Sequence, residues 1–128
     1  DLYKSINYLT DRLIPFFEAA IKNHHYTKMA LIEFQKPTLD LKKIGALMNQ
    51  HHAVLRDLLK ITVPSIDDMI DAALKAGAYG AKIVGSGGGG SIVVMAEPGN
   101  EAPIVAAILA AGAVGAYPVT VDPGARIQ

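Results

Sequence analysis

The sequence predicts an α+β fold, an antiparallel sheet covered by helices, on three observations. Apolar residues three and four apart run through most of the chain from Leu2 to Leu74 and again from Ile104 to Leu109, the spacing of helices with one buried face. Two β-branched runs, Ala81-Lys82-Ile83-Val84 and Ile92-Val93-Val94-Met95, are joined by a stretch dominated by glycine, so they pair as a hairpin. Tyr117, Val119 and Val121 alternate with Pro118 and Thr120, the period of a further strand, with Pro118 placing it at an edge. A hidden strand near Ile61-Thr62-Val63 or within Met29 to Phe34 would bring the second half to a ferredoxin-like βαββαβ unit, with the additional helices lying N-terminal to it.

At 128 residues the chain is one domain's worth, able to bury roughly two thirds of its unfolded surface. Residues 1–38 read as a helical segment packing on an α+β core at 39–128. The 12 basic and 12 acidic residues cancel without clustering, which argues against nucleic acid and anionic membranes as partners. Cysteine is absent, so neither a disulfide framework nor a thiolate metal site is expected, and a cytoplasmic location fits. Asp1 stands where an initiator Met would, and the sequence is expected to be a piece of a longer one. Ala102 to Val121 carries no charge over 20 residues, nominally a membrane-spanning length, but Pro103, Gly112, Gly115 and Pro118 interrupt it. It reads as helix, turn and strand.

Leu2, Ile6, Leu9, Leu13, Phe16, Phe17 and Ala20 predict a long helix to about Asn23, kinked or divided at Pro15. His24 and His25 end it, exposed and facing the C-terminal dipole, and a shorter helix follows from Thr27 to Phe34. From Asp40 to Leu59 a clear stripe of Ile44, Leu47, Met48, His51, Leu55 and Leu58 marks another helix, capped by Asp40 or Thr38. His51 is thereby read as a core imidazole satisfied by a backbone or carboxylate partner, while Asn49, His52 and Arg56 form a polar ridge on the neighbouring stripe. Ser65 opens the next helix as a capping box, whose first turn accounts for Asp67 and Asp68, so no metal site is assigned; Gly77 stops it. Glu97-Pro98-Gly99-Asn100 turns the chain into a helix from about Glu101 to Ala111, with Asn100 as its cap. Asp122-Pro123-Gly124 is a final turn before Arg126-Ile127.

The chemistry of the sequence concentrates between the two strands, where Gly85, Gly87, Gly88, Gly89 and Gly90 leave only Ser86 with a side chain. Each ordered glycine costs roughly 0.5 to 1 kcal/mol relative to alanine, and a tight hairpin turn needs only one or two. The surplus is accounted for when a ligand, typically an anion, lies against bare backbone amides. Three familiar patterns do not fit. Gly85-x-Gly87-x-x-Gly90 matches the dinucleotide fingerprint, which requires a helix where Ile92-Val93-Val94 predicts a strand. The Lys-Ser/Thr ending of a P-loop is missing, as are the downstream elements of a protein kinase.

Leu47-Met48-Asn49-Gln50-His51-His52-Ala53-Val54-Leu55-Arg56-Asp57, then Thr62-Val63-Pro64-Ser65-Ile66-Asp67, then Gly77 through Gly90, resemble the C-terminal domain of the GHMP small-molecule kinases in both order and spacing. The resemblance spans roughly Ile44 to Met95, with the glycine stretch corresponding to the third motif of that superfamily. It implies ATP-dependent phosphorylation of a small alcohol, a sugar or mevalonate, with Mg2+, and a nucleotide- or substrate-binding role for Gly85, Ser86, Gly87, Gly88, Gly89 and Gly90. It implies a supporting or substrate-side role for Asn49, His52 and Arg56. The phosphate-binding Pro-x-x-x-Gly-Leu-x-Ser-Ser-Ala type motif is absent, along with the N-terminal domain that supplies the catalytic Asp or Lys and the metal ligands. No catalytic residue is therefore assigned, and this chain alone is expected to be inactive. The Leu-Met-Asn-x-x-His and Leu-Arg-Asp wording resembles galactokinase and Gly-Ala-Lys with the unbroken glycine run resembles mevalonate kinase, while the closing Val-Asp-Pro-Gly-Ala-Arg-Ile tips the expectation to a galactokinase-like sugar kinase, with a mevalonate kinase-type enzyme as the alternative. The other alternative is a free-standing ligand-binding or regulatory module, for which a homodimer through an exposed sheet edge is expected.

Overall fold

The contact on which the architecture turns has no side chains in it. In the computed structural model, which describes residues 2–120, Gly45 of a helix and Gly80 of a strand meet backbone to backbone. The helix, α2 (Leu41–Asp57), follows a short 3-10 helix at Leu2–Tyr8 and a longer helix, α1 (Ile14–Phe34). After α2 come α3 (Pro64–Lys75), the strands β1 (Gly80–Val84) and β2 (Ser91–Met95), and α4 (Glu101–Ala110).

The two strands pair antiparallel, Gly80 opposite Met95 and Val84 opposite Ser91. Period-two alternation sorts them into faces. Ala81 and Ile83 are buried, with Ile92 and Val94 opposite, and pack on Leu55 of α2, Ile66 and Ile70 of α3. Ile92 and Val94 also reach a second cluster, Ala73 of α3 with Ile104 and Ile108 of α4. The sheet is therefore covered by helices on one face, and Val84 and Val93 remain partly exposed on the other.

Local signals place most of these boundaries. Asp40 caps α2, its carboxylate accepting from the Lys43 amide at 3.0 Å. Gly77, at φ +100°, ends the turn after α3, as read from the sequence. Gly112, at φ +102°, breaks the uncharged stretch after α4, and no helix among the described residues is long and apolar enough to cross a membrane.

Several expectations change. Pro15 does not kink a helix but sits in the first turn of α1, where its missing N–H and fixed φ are harmless, so the chain breaks at residues 9–13 instead. His24 and His25 are exposed as expected but lie inside this helix, which continues through to Phe34. Ser65 is not a cap: Val63 holds the cap position in extended geometry, the conformation forced on a residue before proline, and Pro64 starts α3. Asn100 occupies the cap position of α4 without a side-chain bond, and Glu101 accepts from the Gly99 amide instead. Residues 61–63 are irregular, Met29 to Phe34 are helical and 117–120 form no strand, so the sheet has two strands among the described residues. Val121, the turn at Asp122-Pro123-Gly124 and Arg126-Ile127 lie outside the described residues.

The hairpin of α1 and α2 is tied by a buried carboxylate. Glu33 is 1% exposed and accepts from Lys36 Nζ at 2.7 Å, with Lys43 Nζ of α2 at 3.4 Å. The Lys36 bond, reinforced by Lys43, holds its carboxyl below the usual range against the opposing effect of burial. A depressed folded value means that the ionised form stabilises the fold above the unfolded pKa, and that this contribution fades as pH falls through the folded value. Acid titration followed by circular dichroism should accordingly show a shallower loss of stability in Glu33→Gln than in the parent.

A Cβ at Gly45 would stand 2.5 Å from the Tyr79 carbonyl carbon, and one at Gly80 would collide with the Gly45 carbonyl. Neither neighbour is a flexible side chain that could swing away. Gly45→Ala or Gly80→Ala should cost about 2 kcal/mol or more in urea denaturation, by forcing α2 off the strand.

Candidate functional site

Beyond the glycine contact, α2 presents Asn49 and His52 to the edge of β1 that β2 does not pair. Asn49 spans two residues of the strand, its Nδ2 donating to the Tyr79 carbonyl at 3.3 Å and its Oδ1 accepting from the Ala81 amide at 2.9 Å. One turn on, His52 Nδ1 accepts from the Ile83 amide at 3.4 Å. Lys82 closes the edge by donating its Nζ to the Ile83 carbonyl at 2.8 Å. Because Nδ1 receives a proton, the ring hydrogen belongs on Nε2, which donates to Asp67 Oδ1 at 3.0 Å. The second Asp67 oxygen accepts from Thr62 Oγ1 at 3.1 Å.

The polar ridge thus divides. Asn49 and His52 turn inward, whereas Arg56 stays exposed and forks onto its neighbour Asp57 at 2.8 and 3.2 Å. The two histidines exchange the roles assigned from periodicity. His52 is the buried imidazole with backbone and carboxylate partners, 3% exposed. His51 is half-buried beside a groove of about 330 Å3 between α1, α2 and the open sheet face, with Phe34, Met48, Lys82 and Met95 around it. Burial, then the nearby charge of Lys82, lower the His51 pKa, and burial lowers that of Lys82.

The loop from Gly85 to Gly90 leaves β1 and enters β2 directly, with no helix after the glycines. All five of its glycines have positive φ, a region in which a side chain is strained. Two positions show what else the geometry demands. Gly87, at φ +87°, lies against the chain between α2 and α3, where a Cβ would come within 2.5 Å of the Ile61 carbonyl oxygen. Gly88, at φ +78°, donates its amide to that same oxygen at 2.7 Å and has nothing within 4 Å of where its Cβ would be. Among the described residues this is the one bond from a loop amide, residues 85–90, to a backbone acceptor. At Gly85, Gly88, Gly89 and Gly90 no atom lies within 4 Å of where a Cβ would stand, and of these Gly85, Gly88 and Gly90 are exposed and Gly89 is half-buried. At its far end Gly90 and Ser91 border a cleft of about 640 Å3 that runs between β2, α4 and residues 112–119.

Chemically, the loop offers donors and no acceptor side chain except the Ser86 hydroxyl, a composition suited to an anion. No group of three or more His, Asp or Glu residues able to hold a metal ion occurs among the described residues. The sequence reading missed Ile61, Thr62 and Asp67 as partners of the loop and of His52. Asp67 reads as a helix-start acid, and only the fold, which sets both α2 and α3 against β1, brings it to His52.

Comparison with known proteins places this geometry in a family. The model for "GHMP kinases C terminal" matches residues 30–115, which include α2, α3, the hairpin and α4 but leave out most of α1. A mevalonate kinase of Thermococcus sibiricus is 36% identical over 101 residues, 79% of this chain and 29% of the relative. One from Pyrococcus horikoshii is 33% identical over 114 residues, 89% of this chain and 33% of the relative. A galactokinase of Streptomyces coelicolor is 39% identical over 69 residues, 54% of this chain and 18% of the relative. The chain spans a third or less of the length of each of these relatives.

Removing the Asn49 side chain would leave the Ala81 amide and the Tyr79 carbonyl without their partner. Asn49→Ala should lower unfolding free energy by about 1 to 3 kcal/mol in urea titration, more than an exposed-site control such as Arg56→Ala.

Proposed function

Because the chain belongs to the GHMP kinase C-terminal domain family, we propose that it is the C-terminal domain of an ATP-dependent small-molecule kinase. In this reading Gly85, Ser86, Gly87, Gly88, Gly89 and Gly90 lie against the nucleotide phosphates and the acceptor, at the boundary with an N-terminal domain. The single observation that supports it is a loop of five positive-φ glycines on a paired hairpin, with open space where a Cβ would stand at Gly85, Gly88, Gly89 and Gly90. A phosphate oxygen can approach such amides without meeting a Cβ. Mg2+, when bound, would neutralise charge on the transferring phosphoryl group, and its ligands are assigned to the N-terminal domain. Within this chain the work is binding and orientation. The amides of residues 85–90 other than Gly88 donate to no backbone acceptor among the described residues, while Asn49 and His52 keep the strand that leads into the loop in place.

Two acceptor classes follow from the relatives. A sugar fits the motif wording around Asn49 and Arg56, so a galactokinase-like enzyme is one reading. Mevalonate is the other, favoured by matches that extend over 79% and 89% of the chain, against 54% for the galactokinase. Incubating the full-length protein with Mg-ATP and either galactose or mevalonate, with ADP release as readout, discriminates them. Turnover with one alcohol names the class; ATP consumption with neither sinks both and favours a non-catalytic ligand-binding module, for which a homodimer should then be visible by light scattering.

Gly88→Val provides the sharper test of the loop. A β-branched residue is strained at φ +78°, and its methyls would project into the open space reserved for the ligand. Turnover per KM should fall by about 100-fold or more, an outcome on the scale of losing a main-chain oxyanion contact. Unchanged kcat and KM would remove the loop from the site.

A further inference from the structure

A path of hydrogen bonds and one peptide link runs from the strand to the middle of the glycine loop. It starts at the Ile83 amide, crosses His52 of α2, passes to Asp67 of α3 and reaches Thr62 in the connection between those helices. Thr62 adjoins Ile61, whose carbonyl receives the Gly88 amide at 2.7 Å and leaves no room for a Cβ at Gly87. Ile61 is itself anchored, since its amide donates to the Leu55 carbonyl at 3.1 Å. Lys60, immediately before it, adopts φ +55°, so the backbone is turned sharply to deliver that carbonyl.

We propose that Ile61, Thr62 and Asp67 are positioning residues for the glycine loop: they form a bracket that fixes the height at which its free amides meet a phosphate. The proposal rests on the phosphate-binding reading for its purpose, but the bracket itself stands or falls on geometry alone. Neither Thr62 nor Asp67 belongs to the loop, and each acts through another group. Thr62 orients through its hydroxyl, and Asp67 uses both oxygens, one on Thr62 and one on His52. Ile61 holds Gly88 through its carbonyl and crowds Gly87 with both carbonyl and side chain, and that side chain also packs against the core.

Amide hydrogen exchange in the 15N-labelled full-length protein tests the bracket directly. Thr62→Val keeps the shape and removes the donor, while Thr62→Ser keeps the donor. In Thr62→Val, exchange at Gly88 should accelerate roughly five- to tenfold, the loss of about one hydrogen bond. The Ala81 amide, held by Asn49, should not change, and Thr62→Ser should restore the parental Gly88 rate. Asp67→Ala should reproduce the Gly88 effect; if that variant fails to fold, the Thr62 pair decides alone. Unaltered Gly88 exchange in Thr62→Val overturns the bracket, and so does an equal acceleration at Gly88, Ala81 and Ile83, which would mark a general loss of stability. Titration of the parent with Mg-ATP reads the other premise separately. Shifts at residues 85–90 support the phosphate reading, whereas their absence alongside a Thr62-dependent Gly88 rejects that reading and leaves the bracket standing.

Discussion

The packing of α2 against β1 is a constraint of backbone on backbone. Where Gly45 meets Gly80 the helix sits closer to the strand than any side chain permits, and that closeness brings short polar groups within reach of the strand's unpaired edge. From Gly45 to His52 the helix advances about 10.5 Å, and from Gly80 to Ile83 the strand advances about 10 Å, so the two backbones stay in step. This match lets a single stripe, Gly45, Asn49 and His52, meet Gly80 and then serve the alternate residues Ala81 and Ile83 of β1. The edge of a two-stranded sheet is normally a liability, and here helix side chains occupy donors and acceptors that a third strand would otherwise take.

A rigid β1 has a consequence for the loop that follows it. Five ordered glycines are costly in conformational entropy, and a loop anchored only by its flanking strands would sample many arrangements of its amides. Both ends of this loop are set by the register from Val84 to Ser91, and its middle is held at Gly88. The loop amides are thereby left few arrangements to sample, which would lower the ordering cost of binding in the proposed phosphate-binding role. The same helix therefore stabilises the fold and shapes the loop, so a change in Asn49 or His52 acts on both.

What was legible in the sequence follows from the range of the interaction that decides it. Asp40 as a cap, Gly77 as a stop and the hairpin across the glycines depend on neighbours a few residues away, and each was readable. Periodicity also found α2, but it could not rank two adjacent stripes. The apolar stripe is core at Ile44, Leu47 and Leu55 as read, but His51 on it is only half-buried, whereas the face holding Gly45 and Asn49 meets β1 and carries His52 inward. A glycine in mid-helix was the available signal that this face approaches another backbone. Boundaries in α1 went astray for a different reason. Apolar residues lie on every side of it, Phe16, Leu31, Ile32 and Phe34 being about half exposed, so spacing alone did not separate a break from a continuation.

The connection between α2 and α3 could not have been read as part of the site, because nothing in Lys60-Ile61-Thr62 is unusual as composition. Its importance comes from three requirements imposed at once. Leu59 and Ile61 must donate back to Val54 and Leu55 to finish α2, Val63 must be extended to admit Pro64, and the Ile61 carbonyl must face Gly88. Few backbone paths satisfy all three within so short a span, and the path taken puts Lys60 at φ +55° despite its side chain. A glycine there would relieve the local strain of about 1 to 2 kcal/mol but would also loosen the segment in the unfolded and native chain alike. Retaining a residue with a Cβ at that turn keeps the carbonyl's direction fixed. Strain in the connection and order in the loop are therefore two aspects of one arrangement, in which α2 is the common support.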